Sequence, residues 1–148
     1  MNTKNNFAKV GRLIAFIPGT LVTMVIVNIL YSILVYIFSI IHLEEITPFS
    51  FIWDYFLRAG AITVSSFYVG LYIFPFKNKL PALITITFFY ISLFTLVFLF
   101  YQQNLDFIND YIEPNKLVFA TINQIAILVG TIIGIGISWK SFYNSDEF

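Results

Sequence analysis

The stretch Leu80–Tyr101, LPALITITFFYISLFTLVFLFY, runs for 22 residues without a charged side chain. A helix of about 20 apolar residues, rising about 1.5 Å per residue, covers the hydrocarbon core of a bilayer. The stretch is therefore read as a membrane span, and it is not alone. Leu13–Ile41, Ala59–Phe76 and Leu117–Trp139 are also uncharged and apolar, with lengths of 29, 18 and 23 residues. The second is extended toward the N-terminus by an aromatic run in which Asp54 and Arg58 are the only charges. Spans are expected at about 13–41, 53–76, 80–101 and 117–139. The chain is thus an all-α integral membrane four-helix bundle with short loops, and a single domain over 1–148.

Composition agrees. Hydrophobic residues make up 59% of the chain and charged residues 11%, against about 25% charged in soluble domains. The net formal charge is zero, which excludes the basic footprint of a nucleic-acid binder. With no cysteine, disulfides, thiol catalysis and thiolate metal sites are all removed. The basic N-terminus before the first apolar run resembles a signal peptide only in outline. The run is far longer than a signal h-region and lacks a small-x-small cleavage pattern, so it is expected to stay as the first span.

Charge asymmetry sets the expected orientation. With the N-terminus in the cytoplasm, Lys4, Lys9, Arg12, Lys77, Lys79 and Lys140 share that side, while Lys116 and Arg58 fall on the other. Lysine and arginine in short loops are retained in the cytoplasm. Both termini are therefore expected inside. Trp53 and Tyr55 at one end and Trp139 at the other suit the headgroup level. The Asn-, Ile- and Phe-rich usage points to an AT-rich bacterial genome and a bacterial inner membrane.

Local signals fill in the path. Pro18-Gly19 predicts a kink in the first span, because proline removes a backbone donor and crowds the preceding turn. His42–Phe51, with Pro48, is expected to be irregular. Pro75–Pro81 is short enough to make the second and third spans antiparallel neighbours. Leu105, Ile108 and Ile112 recur at helical spacing opposite Asp106, Asn109, Asp110 and Glu113, which predicts a short interfacial helix ended by Pro114.

Between helices in lipid, small residues and interhelical hydrogen bonds replace hydrophobic attraction. Gly130-x-x-x-Gly134, followed by Gly136, predicts that the fourth span makes its tightest contact there. Gly19 in the first span and Gly70 in the second are further candidates for close packing. Asn28, Asn123 and Gln124 are amides within spans, where an unpartnered polar group is costly. They are expected to bond across helices, with a polar substrate path as the functional alternative. Asp54 and Arg58, four residues apart, share a helix face and can pair. The plain reading is an interfacial anchor with its own counter-ion; the functional one is an anion or lipid-headgroup site at Arg58.

Catalytic and cofactor chemistry find no footing. No carboxylate lies deep in a span for proton coupling. No Gly-x-Ser-x-Gly elbow or phosphate-binding glycine loop occurs. His42 with Glu44 and Glu45 fits no zinc or EF-hand spacing, so no metal and no cofactor are expected. The leading expectation is a non-catalytic membrane protein acting through helix–helix contacts, an accessory or modulatory subunit. Its partners are the lipid bilayer and another membrane protein, or itself as a homo-oligomer. The alternative is an oligomeric small channel or transporter with a polar path through the bundle.

Overall fold

The computed structural model describes the backbone of residues 3–41, 48–103 and 114–143, and the side chains of 6–38, 52–100, 118 and 121–143. These residues form four helices: α1 (Thr3–Ile41), α2 (Pro48–Ile73), α3 (Leu80–Gln103) and α4 (Pro114–Tyr143). No strand occurs among them. Each helix is long and apolar enough to cross a membrane, over Asn6–Phe38, Ile52–Ile73, Leu80–Phe100 and Thr121–Tyr143. The arrangement is that of a multi-pass transmembrane bundle.

The helix ends differ from the expected boundaries in instructive ways. α1 begins at Thr3, ahead of its apolar run, because the lysines and arginine there are good helix formers and let the helix continue beyond the bilayer. It continues through Pro18 as one helix. The segment expected to be irregular up to Phe51 is helical from Pro48 onward. Proline is favoured in a first turn, where its missing N–H would have had no partner. The interfacial helix expected near Leu105–Ile112, and His42, Glu44 and Glu45, lie outside the described residues.

The turn between α2 and α3 is built from local chemistry. Phe74 N donates to Gly70 O at 3.0 Å, prolonging the last turn of α2. Lys79 Nζ donates to Phe74 O at 2.8 Å, placing a cation at a helix C-terminus, where the dipole favours it. Asn78 Oδ1 accepts from Leu80 N at 2.9 Å and caps the start of α3. This end of the bundle is called the turn end below.

α2 is the central helix. Its backbone comes closest to that of α4, then α1, and less to that of α3. The contacts fix directions. Gly19 of α1 lies at Ile73, and Tyr31 at Arg58, so α1 and α2 are antiparallel. Gly130 lies at Phe56 and Gly134 at Thr63, so α2 and α4 run parallel. Buried Phe16, Phe67, Leu71, Phe74, Ala82, Leu83, Ile86 and Tyr90 form a core of α1, α2 and α3 at the turn end. The predicted antiparallel neighbours α2 and α3 do meet there, but the closest pair is α2 with α4.

Candidate functional site

The α2–α4 contact shows how small side chains bring two backbones together. A Cβ at Gly130 would strike the Phe56 carbonyl oxygen and lie 3.3 Å from Ala59 Cβ. One at Gly134 would lie 2.8 Å from Thr63 Cβ and 3.1 Å from Gly60 O. Hydroxyls along this contact turn back on their own helices: Thr63 Oγ1 donates to Ala59 O and Ser138 Oγ to Gly134 O, each at 2.8 Å. They leave no orphan donor and allow close approach. Gly136 differs, with nothing within 4 Å of an added Cβ. Two residues past Gly134 on a 3.6-residue helix, it points away from the shared face. At the turn end Gly19 meets Ile73 Cδ1, and Gly70 meets Ile86, Thr20 and Phe16.

The expected cross-helix amide bonds are not formed among the described residues; hydroxyl and indole groups make them instead. Ser66 Oγ donates to Thr63 O at 2.8 Å and lies 2.6 Å from the Tyr90 hydroxyl. Because the Ser66 proton is committed to Thr63, Tyr90 is the donor in that pair. Trp139 Nε1 donates to Thr87 Oγ1 at 3.0 Å. The Trp139 ring thus packs inward, against the core, rather than serving only as a headgroup marker. Tyr68 and Ser141 hydroxyls meet at 2.7 Å. The sequence signal for these bonds is weak, since single hydroxyl residues in spans have no fixed spacing.

Asp54 and Arg58 do pair, with Nη2 3.1 Å from Oδ2. Arg58 also reaches α1: Nη1 lies 3.4 Å from Ser32 Oγ, and Cζ sits 5.3 Å from the Tyr31 ring centroid, within cation–π range. The Asp54 Oδ1 and Arg58 Nε atoms are covered and have no hydrogen-bond partner among the described residues. Asn28 is exposed on α1 one turn from Ser32, whose hydroxyl donates to the Asn28 carbonyl.

α3 leaves its neighbours beyond Tyr90. Residues 91–100 are exposed apart from the half-buried Phe94. Between this part of α3 and α4 opens a cleft of about 520 Å³, lined by Phe94, Thr95, Val97, Phe98, Thr121, Gln124, Ile125 and Leu128. Its size is that of a small-ligand site, about 300–1,000 Å³. The Gln124 side chain lies in this apolar cleft with no hydrogen-bond partner among the described residues. Asn123, beside it, has a covered Oδ1 with no hydrogen-bond partner among the described residues. Asn28 belongs to a different helix and is level with the middle of α2, so the three amides do not line one path within a protomer.

Among the described residues no three histidine, aspartate or glutamate side chains group as metal ligands do. The chain matches no protein-family model, no curated protein and no solved structure.

Proposed function

We propose that the protein works without catalysis, as an accessory or modulatory membrane subunit that receives a transmembrane helix of another protein in the α3–α4 cleft. The observation that supports this most is the Gln124 amide lining an open apolar cleft with no hydrogen-bond partner among the described residues. A lipid acyl chain fills volume but offers no hydrogen bond. A partner helix offers both, and a hydrogen bond between helices in lipid contributes about 0.6–2 kcal/mol. Phe94, Val97, Phe98, Ile125 and Leu128 supply the apolar walls. In this reading the turn end faces the cytoplasm, on the strength of the lysine and arginine bias, and the cleft opens in the opposite leaflet.

Two experiments test it. A photoreactive amino acid in place of Gln124, activated in the native membrane, yields one discrete heterologous protein adduct. The same probe at the exposed Tyr72, near the turn end, yields none. Adducts to lipid alone at position 124 overturn the reading, and an adduct to a second copy of the chain transfers it to self-assembly. Reporter fusions after Phe148 report a cytoplasmic location; an external one reverses the assigned orientation.

A further inference from the structure

The Asp54–Arg58 pair has more hydrogen-bonding capacity than the protein uses. A guanidinium carries five N–H groups, and among the described residues only Nη1 and Nη2 of Arg58 find oxygen partners, the Nη1 contact a long 3.4 Å. Nε and the second carboxylate oxygen find none. The side chains are not sealed in: Arg58 is 26% exposed and Asp54 20%. Leu57 and Ile29, each about half exposed, leave apolar surface beside the pair.

The order of the polar groups along the membrane normal carries the argument. Asp54 stands one turn before Arg58 on α2, so its backbone lies about 6 Å nearer the N-terminal end of that helix. Helical side chains lean toward the N-terminus, which lifts the guanidinium back toward the surface and beside Asp54. Ser32 of α1 is level with Arg58. Asn28, exposed and one turn further along the antiparallel α1, lies about 6 Å deeper. From the surface inward the site reads carboxylate, guanidinium with hydroxyl, amide, and then hydrocarbon.

A glycerophospholipid with an amine headgroup reads, from the surface inward, ammonium, phosphate, ester carbonyls, and then hydrocarbon. We propose that Asp54, Arg58, Ser32 and Asn28 form a lateral site on the α1–α2 surface for a zwitterionic phospholipid bearing a primary ammonium. The phosphate sits on the Arg58 guanidinium, which suits phosphate in shape and charge. Because Asp54 Oδ1 is covered, the ammonium takes the remaining acceptor site of Asp54 Oδ2, the oxygen that Arg58 Nη2 also meets. The Asn28 amide donates to an ester carbonyl. Tyr31 steadies the guanidinium from its ring face. The protein pair is neutral overall and so is the ligand, so the complex leaves no net charge in lipid. An anionic headgroup would add a negative charge beside Asp54, and a quaternary ammonium has no N–H to give the carboxylate. The site is separate from the α3–α4 cleft and does not depend on what binds there.

Native mass spectrometry of the full chain, exchanged into equal amounts of phosphatidylethanolamine, phosphatidylcholine and phosphatidylglycerol, tests this. Wild type retains the ethanolamine lipid about tenfold over the choline lipid, the ratio given by about 1.4 kcal/mol from one charge-assisted bond. Asp54→Asn brings that ratio to about one and raises phosphatidylglycerol retention. Asn28→Leu weakens the ethanolamine and choline lipids alike, because both carry the ester carbonyls. A misfolded variant would not show these opposite patterns. Equal retention of the two zwitterionic lipids by wild type, or an unchanged ratio in Asp54→Asn, overturns the proposal. Displacement of the lipid by an equal concentration of soluble glycerophosphoethanolamine would also overturn it, because the ligand would then be a free zwitterion rather than a bilayer lipid.

Discussion

Replacing Gly130 by alanine adds one methyl group at the closest approach of α2 and α4. That methyl would strike the Phe56 carbonyl oxygen and lie 3.1 Å from the Phe56 carbonyl carbon and 3.3 Å from Ala59 Cβ. These are backbone atoms and a Cβ, with no flexible tip to swing aside. The helices must separate, and overpacking of this kind costs about 1–3 kcal/mol. Alanine in place of glycine also favours the helix itself by up to about 1 kcal/mol. With the propensity gain taken in full, the net expectation is a loss of up to about 2 kcal/mol, a factor of up to about 30 in the folded-to-unfolded ratio. Gly136 provides the control on the same helix, because an added Cβ there meets nothing within 4 Å. Gly136→Ala carries the same propensity gain, so the difference between the two variants isolates the clash, about 1–3 kcal/mol. Reversible unfolding in mixed micelles, followed by circular dichroism against denaturing-detergent fraction, measures it. If Gly130→Ala is as stable as Gly136→Ala, the parallel α2–α4 packing described above is wrong.

Other perturbations separate the remaining contacts. Tyr90→Phe removes the donor to Ser66 while Ser66 keeps its bond to Thr63, so the same unfolding assay should show a loss of about 0.6–2 kcal/mol. Thr87→Val keeps the shape of the Thr87 side chain but removes the acceptor for Trp139 Nε1; in a Trp53→Phe background, the emission of Trp139 should shift to the blue, and an unchanged spectrum denies the bond. Gln124→Leu breaks no hydrogen bond among the described residues, so the isolated protein should stay within about 0.5 kcal/mol of wild type, while partner capture through the cleft is lost. Gly134→Leu forces a larger group against Thr63 and Gly60 and should destabilise the bundle more than Gly130→Ala does.

The sequence makes the four helices plain, because an uncharged run of about 20 residues has few other uses. It also shows which glycines are candidates for close approach. It does not show which glycine faces which helix. Gly134 and Gly136 differ by two positions, about 200° around the axis, and only the position of α2 decides which is covered. The amides mislead for a related reason. Asn28 and Gln124 stand out as polar residues in apolar runs, yet apart from Arg58 the side-chain bonds between helices among the described residues come from Ser66 with Tyr90, Thr87 with Trp139 and Tyr68 with Ser141, unremarkable in sequence until the helices are placed. The Asp54–Arg58 pair follows from i,i+4 spacing alone. Its reach to Ser32 and Tyr31, 26 and 27 positions away from Arg58, depends on how α1 lies against α2. The α3–α4 cleft has no local signature, because it arises where α3 diverges from its neighbours.

The parallel pairing of α2 with α4 has a consequence for biosynthesis. A ribosome delivers α2 to the membrane well before α4 exists, with all of α3 made in between. During that interval the face formed by Phe56, Ala59, Gly60 and Thr63 is open to any small-residue helix nearby. A chain halted before Pro114 would keep that face uncovered for good, so arrested fragments should be the form of this protein that membrane quality-control proteases remove first.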